Sequence, residues 1–142
     1  MAEEPNSYLA DGIAAFEAKH FAMAIQILSP LADGGEAEAQ FRLAIIHQNG
    51  LGTVVNESRA FENMLNAAKQ EHPLAMHSLG FMYLEGECAT QDYALARHWF
   101  EKAAKKNMPG SMMALGMMYS EGQGVEQDAQ KAQYWYDQAN NV

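Results

Sequence analysis

The stretch Pro109–Tyr136, PGSMMALGMMYSEGQGVEQDAQKAQYWY, decides the fold because its pattern occurs three times in the chain. The period is 36 residues, the interval between Leu79 and Leu115. Matching positions are Leu43, Leu79 and Leu115; Gly50, Gly86 and Gly122; Asn56, Asp92 and Asp128; Ala60, Ala96 and Ala132; and Ala67, Ala103 and Ala139. So many residue types in register over three copies indicate an internal repeat.

Each copy predicts a helix, a loop and a second helix. The first helices are expected at about 37–48, 73–85 and 109–120, and Pro73 and Pro109 suit a first helical turn. The loop glycines permit the positive φ that ends a helix. Asn56, Asp92 and Asp128 are good N-caps, because their side-chain oxygens accept hydrogen bonds from backbone N–H groups. The second helices should therefore begin directly after them.

Small residues predict close helix packing within this pattern. Gly80 and Gly116 lie in the middle of a predicted helix, where each costs about 1 kcal/mol relative to alanine. Such a cost is tolerated where another helix approaches closely. The matching small residues of the second helices are Ala60, Ala96 and Ala132. The aromatic residues expected to fill the space between neighbouring helix pairs are Phe61, Trp99, Phe100, Trp135 and Tyr136.

A shorter helix pair precedes the three copies, with helices expected at Ser7–Ala18 and Phe21–Ala32. Pro30 falls inside the second of these, so we expect a kink or an early end near Ile27–Ser29. The predicted organisation is a tail over residues 1–7 and a single solenoid domain over 8–142. That domain comprises the pair at 8–35 and repeats at 36–72, 73–108 and 109–142.

The third copy contains Leu115-Gly116-x-x-Tyr119-x-x-Gly122-x-Gly124-Val125, followed by Ala132-x-x-Trp135-Tyr136. This pattern resembles the Sel1-like repeat, which is related to the tetratricopeptide repeat. The middle copy matches it except for Cys88 in place of the second loop glycine, and the first copy departs at Ala44, His47 and Asn63. The pair at 8–35 is nearer a plain tetratricopeptide pair.

The resemblance implies an all-α fold, a right-handed α/α superhelical solenoid of antiparallel helix pairs. It also implies a non-enzymatic adaptor or scaffold for protein–protein interaction, of a kind typical of bacteria. The alternative is an exported envelope factor acting in periplasmic cell-wall, secretion or quality-control assemblies. As the chain stands we expect a soluble protein in the cytoplasm, or in the periplasm if a signal peptide has been removed.

In such solenoids the first helices line a concave face, which is where partners bind. The residues that the resemblance places there are Leu9, Ile13, Phe16, Phe41, Ile45, His77, Phe81, Leu84, Met113 and Met117. An apolar groove of this kind can take an amphipathic helix or an extended peptide, and methionine adapts to irregular side chains. Two alternatives stay open: these residues could serve only to pack the repeats, or they could mediate self-association.

The formal charge of −9 argues against nucleic acid and anionic lipid as partners. It is compatible with a protein partner that carries basic residues, although the acids could serve only solubility. No apolar run is long enough to insert into a membrane. The last predicted helix, about 128–138, carries Tyr134, Trp135 and Tyr136 with no capping helix after it, which predicts a homodimer contact. Alternatively, Gln130, Gln133 and Asp137 make its outward face polar enough.

The sequence predicts neither a catalytic site nor a cofactor. Cys88 is the single cysteine, so an intramolecular disulfide is impossible. The five histidines form neither a His-Glu-x-x-His motif nor a pair four residues apart, so no metal site is expected. The Gly-x-Gly sequences follow predicted helices rather than strands, which excludes a dinucleotide-binding turn.

Overall fold

The computed structural model describes residues 5–142, with side chains from Ser7 onward, and these residues contain α-helices and no β-strand. The helices are α1 (Pro5–Glu17), α2 (Phe21–Asp33), α3 (Ala37–Asn49), α4 (Glu57–Lys69), α5 (Pro73–Glu85), α6 (Tyr93–Ala104), α7 (Pro109–Glu121) and α8 (Ala129–Asn140). They divide into two compact units: unit 1 extends to His72 and holds α1–α4, and unit 2, Pro73–Val142, holds α5–α8. Within the described range, no helix combines the length and the apolar character needed to cross a membrane.

The predicted helix ends are confirmed at their caps. The side chains of Asn56, Asp92 and Asp128 each accept a hydrogen bond from a first-turn N–H, at 3.1 Å for Asn56 and 3.0 Å for the other two. Gly50 and Gly122 end α3 and α7 at φ values of 64° and 68°. Positive φ is the left-handed conformation in which glycine carries no Cβ penalty, so these positions stop each first helix where the sequence predicts.

The N-terminal pair differs from the prediction at both of its helices. Helix α1 begins at Pro5, so the last residues of the predicted tail 1–7 are helical, and residues 1–4 lie outside the described part of the chain. Helix α2 continues through Pro30 to Asp33, so the predicted early end near Ile27–Ser29 is wrong. The Ser29 hydroxyl donates to the Ile25 carbonyl at 2.6 Å and so binds one of the carbonyls in the turn before the proline.

Each unit has its own buried apolar cluster. In unit 1 the cluster consists of Ala15, Ala24, Leu28, Ala32, Ala39, Leu43 and Ile46. In unit 2 it consists of Leu84, Ala96, Phe100, Ala104, Met112, Ala114, Leu115 and Met118. Both clusters draw residues from first and second helices, so the apolar stripes of consecutive helices are buried against each other.

The mid-helix glycines are places of close approach, as predicted. A Cβ on Gly80 would lie 2.6 Å from Cε1 of Phe100, and one on Gly116 would lie 2.4 Å from Cε1 of Tyr136. The approaching group is in each case an aromatic ring from the second helix of the same repeat. The prediction that the aromatic residues lie between neighbouring pairs is therefore incomplete, because Phe100 and Tyr136 also fill the interior of their own pair.

Candidate functional site

The residues predicted to bind a partner lie on the first helices α1, α3, α5 and α7, in two sets, one in each unit. Phe41 and Leu84 are buried, which leaves them little side-chain surface to offer a partner. The half-buried residues are Leu9, Ile13, Phe16, Ile45, His77, Phe81 and Met117. Met113 is 48% exposed. These positions stay predictions as binding residues, and their surroundings differ between the units.

In unit 1, charged side chains lie over the predicted apolar positions. The guanidinium of Arg42 lies 4.8 Å from the ring centre of Phe16. Its Nε donates to Glu38 at 3.1 Å, and its NH2 group lies 3.7 Å from a carboxylate oxygen of Glu17. His72 bonds to the other carboxylate oxygen of Glu38 and stacks on Phe41. The apolar surface of unit 1 is thus partly covered by its own ion pairs.

These ion pairs also set the protonation of Glu38. Burial alone would raise the pKa of the Glu38 carboxyl, but hydrogen bonds from His72 and Arg42 and their positive charges outweigh it and hold the pKa below its ordinary value of 4.5. A carboxyl whose pKa is lowered by folding adds stability above its unfolded pKa. That stability is lost as the pH falls below about 4.5 and through the folded-state pKa.

Glu38→Gln is therefore expected to lower the free energy of unfolding at about pH 7 by roughly 1–2 kcal/mol, because the two charge-assisted hydrogen bonds are weakened. The loss should shrink as the pH falls below about 4. Urea denaturation across this pH range measures both effects. Glu62→Gln, on the exposed side of α4, is the matched control and should change little. Equal acid dependence in the two variants would contradict the role given to Glu38.

In unit 2, α5 and α7 form a continuous apolar face. The two helices are parallel neighbours joined by a bond of 2.7 Å between Nδ1 of His77 and Oγ of Ser111. Leu74 is 48% exposed, like Met113. We define the α5/α7 face as Leu74, His77 and Phe81 on α5, with Gly110, Met113 and Met117 on α7. The spacing of three and four residues places each set on one side of its helix.

His77 is held firmly within this face. Its ring meets the ring of Phe81 edge-on at 5.1 Å, and the ring of Phe100 lies 6.0 Å away. A Cβ on Gly110 would lie 3.0 Å from Cε1 of His77, so a larger residue at this position would press against the ring. Burial lowers the pKa of His77, because the charged imidazolium loses solvation. The ring is therefore neutral near pH 7.

The His77–Ser111 pair positions a ring and does not present a nucleophile. The side chain of Ser111 is 0% exposed, so a substrate carbonyl could not reach its oxygen. Within the described residues no carboxylate bonds to His77 to orient it as a base, and no three of the His, Cys, Asp and Glu side chains form a group that could hold a metal ion. The arrangement can bind and orient, by apolar contact and by one polar group.

Three residues of this site, Leu74, Gly110 and Ser111, do not follow from the sequence pattern. Ser111 lies in the first turn of α7, where the sequence pattern predicts only a helix start. Its bond to His77 forms only because two repeats pack together. One signal was available: His77 and Ser111 are 34 residues apart, as are Glu38 and His72. In both units, therefore, side chains slightly less than one repeat apart meet in the folded chain.

His47 lies in unit 1 and is more deeply buried than His77. It occupies the position where the other repeats have Tyr83 and Tyr119. Its Nδ1 is buried and lacks a hydrogen-bond partner among the described residues. Burial, together with the positive charge of Arg59, lowers the pKa of His47. The site thus holds a histidine ring with one buried nitrogen that lacks a partner, which carries a cost in free energy.

The C-terminal helix α8 presents a mixed surface. Tyr134 is exposed, whereas Trp135 and Tyr136 are half-buried. The amide of Gln133 donates to the carboxylate of Asp137 at 2.9 Å on the exposed side of the helix. The predicted homodimer contact through α8 stays a prediction, with Tyr134 as the exposed aromatic side chain that could carry it.

Comparison with known proteins identifies the repeat. The family model described as Sel1 repeat matches residues 37–72, 73–108 and 109–141. A crystal structure of a Sel1 repeat protein from Oxalobacter formigenes is 32% identical, with a TM-score of 0.79 over 82% of this chain and 89% of that chain.

A second solved structure is similar over almost the whole chain. It is that of c5321, a protective antigen present in uropathogenic Escherichia coli strains and displaying an SLR fold. The identity is 29% and the TM-score 0.91, over 97% of this chain but only 30% of that chain. The predicted all-α solenoid fold of helix pairs is thereby confirmed. With three matched repeats over most of its length, the chain belongs to the Sel1 repeat family.

Proposed function

We propose that this chain is a non-enzymatic interaction module whose α5/α7 face binds an apolar segment of another protein. Proteins of the Sel1 repeat family are generally protein-interaction modules. The face lies on two rigid helices and offers both exposed apolar side chains and one oriented polar group. It needs no rearrangement to accept a helix or an extended peptide laid across it.

The observation that carries this proposal is the composition of α5 and α7. Apolar residues occur on all sides of both helices, although Leu74 and Met113 are about half exposed to solvent. A helix at a protein surface normally has one polar side, and a helix that is apolar all round is normally covered. A bound partner would shield the exposed apolar side chains of α5 and α7 from solvent.

Charge at one end of the face indicates which partner fits. The carboxyl residues of α5 and α7 are Glu85 and Glu121, each the last residue of its helix and each exposed, and neither helix contains a lysine or an arginine. Because the two helices are parallel, both carboxylates and both negative helix ends lie at the same edge. The expected partner is therefore an apolar segment followed by basic residues, which agrees with the net charge of −9.

The test uses a short leucine-rich peptide that ends in two lysines. Phe81→Glu combined with Met117→Glu should weaken its binding at least about tenfold, because carboxylates would be buried against apolar side chains. Met113→Glu should weaken it as well while leaving the core intact, since Met113 is about half exposed and is not part of the buried cluster. Isothermal titration calorimetry measures the affinity, and circular dichroism checks that the helix content is unchanged.

The matched control combines Leu95→Glu with Tyr134→Glu, which adds the same charge at exposed apolar residues of the same unit outside the face. This variant should keep the affinity of the unchanged protein. A peptide that ends in two glutamates should bind more weakly than the lysine peptide. The proposal would be contradicted if the double variant Phe81→Glu with Met117→Glu and the single variant Met113→Glu both bound the lysine peptide as tightly as the unchanged protein.

A second candidate function is that of an exported envelope factor. It is supported by the similarity to a protein described as a protective antigen. Under this proposal the α5/α7 face would bind a component of a cell-wall, secretion or quality-control assembly. Fractionation of the native cells, followed by detection with an antibody, tests it: recovery in the cytoplasmic fraction alone would exclude export.

A further inference from the structure

The hydrogen bonding of Ser111 determines where His77 carries its proton. Among the described residues, Nδ1 of His77 is the one hydrogen-bond partner of the Ser111 hydroxyl, at 2.7 Å. Since Ser111 is fully buried, water cannot replace a missing partner. If Nδ1 carried the proton, the hydroxyl hydrogen would have no acceptor, which costs about 1–3 kcal/mol. The hydroxyl therefore donates to Nδ1, and the neutral ring carries its proton on Nε2.

The Nε2–H group is available to a ligand. Nε2 makes no hydrogen bond to the described part of the chain, and it is not among the fully buried atoms that lack a partner. A Cβ on Gly110 would lie only 3.4 Å from Nε2. Glycine thus keeps open the space beside this donor, as it commonly does where another backbone approaches closely.

We propose that His77 is the specificity-determining polar contact of the α5/α7 face and donates a hydrogen bond from Nε2 to a main-chain carbonyl oxygen of the bound segment. This inference rests on the proposed function. The hydrogen bond would give the face a direction, since a carbonyl of the bound segment must lie beside the apolar side chains that contact the face.

The charges around the face select a carbonyl rather than a carboxylate as the acceptor. No lysine or arginine lies on α5 or α7, and the carboxylates at the edge, Glu85 and Glu121, would repel an acid. A carboxylate brought against Leu74 and Met113 would lose its hydration without gaining a counter-ion. A main-chain carbonyl occurs once in every residue of a peptide and carries no net charge.

The proton position is tested on the unbound protein. In a long-range proton–nitrogen NMR spectrum of nitrogen-15-labelled protein at about pH 7, Nε2 of His77 should be protonated and Nδ1 should be unprotonated. Ser111→Ala removes the hydroxyl donor and should yield a mixture of both tautomers, while His98, which is exposed, stays unchanged. A protonated Nδ1 in the unchanged protein would overturn the inference, whether or not the peptide binds.

The ligand contact is tested with the leucine–lysine peptide labelled with carbon-13 at its carbonyls. A scalar coupling across the hydrogen bond should link Nε2 of His77 to one main-chain carbonyl. His77→Phe should weaken binding about tenfold, the value of one hydrogen bond, and His98→Phe should not. If the His77→Phe variant binds the peptide as tightly as the unchanged protein, the hydrogen bond from His77 is contradicted but the proposed function is not. A peptide that fails to bind the unchanged protein contradicts the proposed function, and this inference falls with it.

Discussion

Replacing Phe100 with alanine is expected to lower the free energy of unfolding by about 3–5 kcal/mol, the typical cost of emptying a buried aromatic site. The ring of Phe100 is 0% exposed and belongs to the buried cluster of unit 2. It lies against Gly80 and meets the ring of Phe81 edge-on at 5.0 Å. Because backbone borders the ring on one side, the cavity cannot close by a simple side-chain shift.

Guanidinium denaturation followed by circular dichroism measures this loss. Leu95→Ala, on the exposed side of the same helix, is the control and should change the free energy of unfolding by no more than about 0.5 kcal/mol. The Phe100→Ala variant should also weaken peptide binding, since Phe81 and His77 lose the ring that supports them. A loss below about 1 kcal/mol would mean that Phe100 does not hold unit 2 together.

Replacing Gly80 with alanine is expected to destabilise the protein, although helix propensity alone predicts a gain of about 1 kcal/mol. The new Cβ would lie 2.6, 2.7 and 2.9 Å from three atoms of the Phe100 ring. The ring cannot swing away, because Phe81 and His77 pack against it. Overpacking of this kind costs about 1–3 kcal/mol, so after the gain in helix propensity we expect a net loss of up to about 2 kcal/mol.

A double variant separates this steric clash from a general intolerance of Gly80 to change. Gly80→Ala combined with Phe100→Leu should be no less stable than Phe100→Leu alone, because the smaller side chain leaves room for the Cβ. Gly34→Ala is the control, since Gly34 has a φ of −80° and its Cβ would meet nothing closer than 3.4 Å. It should be neutral or add up to about 1 kcal/mol. A stabilised Gly80→Ala variant would contradict the packing described for unit 2.

The helical framework was readable in the sequence because its signals are local. The caps at Asn56, Asp92 and Asp128 act within one helical turn, and the loop glycines fix their own φ. The close approach at Gly80 was predictable too, because a glycine in the middle of a helix lowers helix stability and is tolerated where another helix packs closely. Pro30 misled the prediction of an early end, because a proline removes one backbone donor and can be accommodated inside a helix, and α2 continues to Asp33.

The candidate site was only partly predictable. Phe81, Met113 and Met117 followed from the family resemblance, whereas Leu74 did not. The difference between the units did not, because Arg42 covers Phe16 through contacts between two helices, and the sequence gives no distance between them. The resemblance places Leu84 among the partner-binding residues at the rim of the face, yet Leu84 is part of the buried cluster.

By itself, the sequence determined the repeat, its helices and their ends, because each depends on residues a few positions apart. Only the tertiary structure decided which apolar residues stay accessible and which aromatic ring packs against each mid-helix glycine. It also decided that Ser111 determines which nitrogen of His77 carries the proton. Those outcomes depend on side chains about one repeat apart, and their contacts exist only once the helices have packed.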